Sequence, residues 1–139
     1  MGSILSALYG GGAAATDEQS EIDGHPAVTA FHSSNRWQLH FNSMKESPQL
    51  MVIDFAASWC GPCKFMEPEL IAMAHKYTDV SFAKIDVDEL PSVSQEFGVQ
   101  AMPTFVLVKR GKEVDRVVGA KKDELIKKIV KNRAIQSAS

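Results

Sequence analysis

The string Trp59-Cys60-Gly61-Pro62-Cys63 constrains this chain more than any other feature, because it holds both of the cysteines in 139 residues. Ahead of it runs Leu50-Met51-Val52-Ile53-Asp54-Phe55-Ala56, an apolar stretch of strand length. Behind it, Lys64 to Ala74 is compatible with a helix. A cysteine at the start of such a helix faces unpaired backbone N–H groups and the positive end of the helix dipole, which favours its thiolate. Cys63, three residues on, shares that helical face. The spacing therefore suits reversible dithiol–disulfide exchange: Cys60 attacks a target disulfide, and Cys63 resolves the mixed disulfide that results. Pro62 restricts the backbone between the sulfurs, and Trp59 offers an aromatic surface to a substrate.

Two other uses of a close cysteine pair fit less well. A zinc site needs four ligands, and neither a second Cys-X-X-Cys nor a ligand-spaced pair among His25, His32, His40 and His75 is present. A purely structural disulfide across so short a loop removes little chain entropy.

Composition bounds the rest. The length accommodates one domain and a tail, and a hydrophobic content of 45% suffices for a single core. The net charge of −2 is uneven, since Asp17, Glu18, Glu21 and Asp23 are acidic while basic residues gather from Lys109 to Arg133. Without interleaved aromatics, that basic cluster reads as the solvated face of a hairpin and a terminal helix, and nucleic acid is not an expected partner. No run approaches the roughly 18 to 20 apolar residues of a membrane span.

Residues 1–27 are rich in Gly, Ala and acids without a sustained period, and are expected to form a flexible extension ahead of a domain at 28–139. Within the domain, Val28 to Phe31 is a candidate edge strand. Ser33 or Ser34 is placed to cap a helix carrying Trp37, Phe41 and Met44 on one face. Strands are expected at 50–56 and 80–86, with the active-site helix between them reaching Lys76 and containing Pro68. A short helix at 91–97 is closed by Gly98. A hairpin follows, Thr104 to Val108 and Glu113 to Val118, turning through Lys109-Arg110-Gly111-Lys112. Leu125, Ile126, Ile129 and Val130 predict the apolar face of a last helix. This order implies an α/β fold with a central mixed β-sheet flanked by helices on both faces.

From about Val28 to Arg133 the chain resembles the thioredoxins, and in particular the plant h-type subgroup with an N-terminal extension. Beyond the cysteine string, the likeness rests on Asp54, Pro68, Phe82-Ala83-Lys84-Ile85-Asp86-Val87-Asp88, Ala101-Met102-Pro103-Thr104-Phe105, Gly111, Val118-Gly119-Ala120 and Trp37-Gln38-Leu39-His40-Phe41. Ala56 departs from it, since many thioredoxins carry an aromatic residue there, and is read as a change in packing. A glutaredoxin would lack the Trp-Cys-Gly-Pro-Cys string, and protein disulfide isomerase domains have His at the place of Pro62.

The resemblance implies a thioredoxin fold, protein-disulfide reductase activity and no bound cofactor beyond the reversible Cys60–Cys63 disulfide. Disulfide-containing proteins would be the targets. The electron donor would be an NADPH-dependent thioredoxin reductase, with a glutathione or glutaredoxin system as the alternative. Asp54 is a carboxylate amid apolar neighbours: either a hydrogen-bonded core group or, as the resemblance implies, the proton acceptor for Cys63. Lys84 is either an exposed strand lysine or a residue that tunes Asp54. The resemblance also implies a cis bond at Met102-Pro103 and a substrate surface that includes Gly61, Pro62, Gly119 and Ala120. A rival class, a binding scaffold without electron transfer, is opposed by the intact cysteine pair.

Met1-Gly2-Ser3-Ile4-Leu5-Ser6 fits the N-myristoylation pattern, with Gly2 as acceptor. One acyl chain gives only reversible membrane association. The absence of Lys or Arg before Arg36 argues against a secretory or Arg-rich mitochondrial leader. A cytoplasmic monomer, membrane-associated through Gly2, is the expectation, with mitochondria as the alternative.

Overall fold

The computed structural model describes residues 26–133, so Gly2 and most of the N-terminal extension lie outside the described residues. The described chain runs β1 (Thr29–Phe31), α1 (Ser34–Met44), β2 (Met51–Ala56), α2 (Gly61–Lys76), β3 (Ser81–Asp86), α3 (Pro91–Glu96), β4 (Thr104–Lys109), β5 (Lys112–Val118) and α4 (Lys122–Asn132). The sheet order is β1-β3-β2-β4-β5. β3 is parallel to both β1 and β2, whereas β2–β4 and β4–β5 are antiparallel, which is the expected mixed sheet.

Local signals place the element ends. Ser33 caps α1, its hydroxyl accepting from Arg36 N at 3.3 Å. Pro91 starts α3, and Gly98 follows its end with φ +65°. Arg110 and Gly111 form a two-residue hairpin turn, both with positive φ, at 53° and 81°. α2 continues through Pro68, whose missing N–H leaves the Lys64 carbonyl without its helical donor.

β2 is buried along its whole length because helices cover both faces of the sheet. Leu50 and Val52 pack with Met66, Leu70 and Met73 of α2 and with Leu125 and Ile129 of α4. Met51, Ile53 and Phe55 point the other way, into a cluster with Trp37 of α1 and Val93 of α3. The alternation leaves Asp54 and Ala56 on the side of the active-site helix. One expectation is corrected: Val130 is 37% exposed, because α4 turns only Leu125 and Ile129 fully inward, with Ile126 at the margin.

The α1 face carries a partly buried polar group. His40 stacks on Phe31 with ring centroids 4.9 Å apart, and its Nε2 is enclosed without a hydrogen-bond partner among the described residues. Burial holds its pKa below the ordinary histidine value. With the folded-state pKa depressed, the stability associated with the neutral ring is fully present above the unfolded pKa and is lost as pH falls through the folded one. The melting temperature of His40→Phe should therefore gain on the wild type as pH is lowered from 7.5 to 5.5. A gap that stays constant across that range would contradict this account.

Candidate active site

Cys60 is the N-cap of α2, and its sulfur accepts a hydrogen bond from Cys63 N at 3.1 Å. The two cysteines are joined in a disulfide, with Cα atoms 5.3 Å apart, and each is about 5% exposed or less. The expectation from spacing alone, a sulfur at the positive end of a helix with its partner one turn along, is met. Both sulfurs are buried to the same degree, and Cys60 Sγ is the one in contact with the Met102 carbonyl.

Three loops converge on the pair. Met102-Pro103 is a cis bond, and Met102 packs against Ala56, Ala57 and both cysteines, its carbonyl oxygen 3.6 Å from Cys60 Sγ. Gly119, with φ +104°, donates its N–H to Pro103 O at 2.8 Å, which ties the Gly119-Ala120 turn to the proline loop. A side chain at Gly119 would be strained in that backbone conformation. Trp59 is 66% exposed beside the disulfide and is held by an indole hydrogen bond to Asp88 Oδ2 at 2.9 Å. Gly61 faces open space, so the backbone before Pro62 is accessible.

Asp54 of β2 lies on the face covered by α2, 4% exposed, with Oδ1 lacking a hydrogen-bond partner among the described residues. Burial pushes its pKa up to about 7, Lys84 pulling it down and Glu67 pushing it further up. The register of β2 and β3 sets Asp54 opposite Lys84. Lys84 is half-buried rather than fully exposed, and its ammonium bonds Glu67 Oε2 at 2.7 Å. Ala56 lies at the wall of a cavity of about 550 Å³ that also touches Cys63, Glu67 and Lys84.

The structure thus brings Trp59, Cys60, Gly61, Pro62, Cys63, Met102, Pro103, Gly119 and Ala120 to one end of the sheet, while Lys84 shares a cavity with Cys63 and Asp54 lies opposite Lys84 in the sheet. Two residues beside these were not singled out from sequence. Asp88 was only part of a matching string, and Glu67 falls one helical turn after Cys63, a spacing that could have flagged it. Among the described residues no cluster of His, Cys, Asp and Glu could hold a metal ion. No described helix is long and apolar enough to cross a membrane.

Four of the ten basic residues from Lys109 to Arg133 form ion pairs within the fold. Lys128 bridges Asp115 and Glu124, Arg116 pairs with Glu113, Lys122 with Glu69, and Arg133 with Asp79.

Residues 28–132 match the family model described as Thioredoxin. The chain belongs to the thioredoxin family. Thioredoxin H2 of Arabidopsis thaliana is 60% identical over 134 residues, covering 96% of this chain and 100% of the relative. Thioredoxin H2-2 of Oryza sativa subsp. japonica is 49% identical over 140 residues, covering 100% of this chain and 99% of the relative. Among solved structures, the thioredoxin NaTrxh of Nicotiana alata superposes with a TM-score of 0.77 at 74% identity, over 77% of this chain and 93% of that one. A poplar thioredoxin h, PtTrxh4, gives 0.71 at 36% identity, over 76% and 95%.

The resemblance to plant h-type thioredoxins and the expected thioredoxin fold are therefore borne out. This thioredoxin is a thiol-disulfide oxidoreductase whose redox group is the reversible Cys60–Cys63 disulfide.

Proposed function

We propose that the protein reduces disulfides in other proteins and is itself re-reduced by an NADPH-dependent thioredoxin reductase. The observation that carries this reading is the Cys60–Cys63 disulfide at the N-terminus of α2, set against the cis Met102-Pro103 loop.

In the forward reaction the Cys60 thiolate attacks a target disulfide. A Cys60–target bond forms, the target S–S bond breaks, and one target thiolate leaves. Asp54 accepts the proton of Cys63, whose thiolate then attacks Cys60 Sγ. The mixed disulfide breaks, the second target thiolate leaves, and the Cys60–Cys63 bond closes. Two electrons have passed to the target. Lys84 moderates the charge on Asp54. Met102 and Pro103 offer backbone to an extended target segment, with Trp59, Gly61, Pro62, Gly119 and Ala120 completing the contact surface.

The donor is tested by following NADPH oxidation with a plant thioredoxin reductase and insulin. Turnover with that mixture supports the proposal, and turnover only with glutathione and glutaredoxin would replace the donor. A wild type inactive with both would favour the binding-scaffold reading.

We further propose that residues 1–27 form an extension to a thioredoxin domain at 28–139, that Gly2 is N-myristoylated, and that the monomer works in the cytoplasm with reversible membrane contact. The Met1-Gly2-Ser3-Ile4-Leu5-Ser6 pattern supports this. Gly2→Ala should shift the protein from the membrane fraction to the soluble one. Unchanged partitioning would remove the acyl anchor, and co-purification with mitochondria would relocate the protein.

A further inference from the structure

Lys84 has two acidic neighbours to choose between. Strand register places it opposite Asp54 of β2, while Glu67 approaches from α2, one turn beyond Cys63. Its ammonium bonds Glu67 Oε2 at 2.7 Å, and Asp54 Oδ1 is left without a hydrogen-bond partner among the described residues. Glu67 is half exposed on its side of that ion pair, whereas Asp54 is buried. Pairing with the more hydrated carboxylate avoids the desolvation that a direct Lys84–Asp54 contact would require.

The surroundings of Asp54 make this choice consequential. The charged groups acting on it are Lys84 from β3 and Glu67 from α2, while its β4 partner is the apolar Phe105. Glu67, Lys84 and Cys63 also line the cavity beside the disulfide. Across that cavity, His32 and Glu89 bond each other at 2.9 Å. A Lys84 ammonium paired directly with Asp54 would stabilise the carboxylate and leave it too weak a base to take a thiol proton.

We propose that Glu67 is a positioning residue for the resolving step: it holds the Lys84 ammonium away from a direct pair with Asp54, and so keeps Asp54 able to gain and lose the Cys63 proton. This rests on the reading of Asp54 as proton acceptor. Glu67 acts on Asp54 in two ways, through its pair with Lys84 and through its own negative charge.

The test follows the Asp54 carboxyl by NMR titration in the full-length oxidised protein. Glu67→Gln is compared with the wild type and with Glu69→Gln, which removes the same charge from α2 but breaks only the Glu69–Lys122 pair, 3.0 Å long. Glu67→Gln deletes a repelling charge and releases Lys84 toward Asp54, so the midpoint should move to lower pH by about half a pH unit or more. Glu69→Gln should move it by less than half as much. The pH profile of insulin reduction should move with the midpoint and lose that dependence on Glu67 in an Asp54→Asn background.

An unmoved midpoint in Glu67→Gln, or an equal movement in Glu69→Gln, overturns the proposal. If that happens while Asp54→Asn still slows turnover above neutral pH, only the role of Glu67 falls. Undiminished turnover in Asp54→Asn would instead overturn the acceptor reading and the use of Glu67 with it.

Discussion

Asp54→Asn should stabilise the oxidised protein by about 4 kcal/mol near pH 8.5 and by almost nothing near pH 4. Burial raises the Asp54 pKa from 3.8 to about 7, and each unit of difference between folded and unfolded states corresponds to about 1.4 kcal/mol. The sign follows from the direction of that shift. With the folded pKa raised, the stability associated with the neutral acid is fully present below the unfolded value. It is lost as pH rises from there through about 7. Asparagine keeps the shape of the neutral acid and never ionises, so the gap between variant and wild type should open across that window. Urea unfolding at several pH values measures it, and a gap independent of pH would contradict the account. The same substitution removes the proposed acceptor for the Cys63 proton, so insulin reduction above neutral pH should slow on the order of tenfold or more. Stability and turnover would then move in opposite directions, as expected of a buried charge retained for chemistry.

The two cysteine variants should both fall below about one-thousandth of wild-type turnover, yet fail in different ways. A serine hydroxyl at Cys60 has too high a pKa for the helix N-terminus to ionise it, so Cys60→Ser should form no adduct with target. Cys63→Ser leaves the Cys60 nucleophile intact and removes the resolving thiolate. The mixed disulfide should therefore accumulate as a band that dithiothreitol abolishes. The place of Cys60 as N-cap of α2, with the Cys63 N–H directed at its sulfur, supports this division. An adduct trapped by Cys60→Ser and not by Cys63→Ser would reverse the roles of the two sulfurs.

Much of this architecture is legible locally. Ser33 caps α1, Pro91 opens α3 and Arg110-Gly111 turns the hairpin because each depends on contacts within three or four residues, and such contacts follow sequence order. The alternation in β2 separates Asp54 and Ala56 from Met51, Ile53 and Phe55 for the same reason. Val130 marks the limit of periodic reading: adjacent to a fully buried position, it lies past the edge of the contact that α4 makes with the sheet.

What Trp59-Cys60-Gly61-Pro62-Cys63 determined unaided was the chemistry: two sulfurs on one helical turn, with the first at the helix N-terminus. Flanking periodicity added an α/β chain with a mixed sheet. Tertiary structure alone decided which side chains surround those sulfurs. Parallel pairing of β2 with β3 places Lys84 opposite Asp54, and α2 packed on that face brings Glu67 to Lys84 across 17 positions of chain. The indole of Trp59 meets Asp88 across 29 positions. Such pairings depend on strand register and helix placement, which minimise the burial cost of the whole core at once, so no local stretch of sequence specifies them.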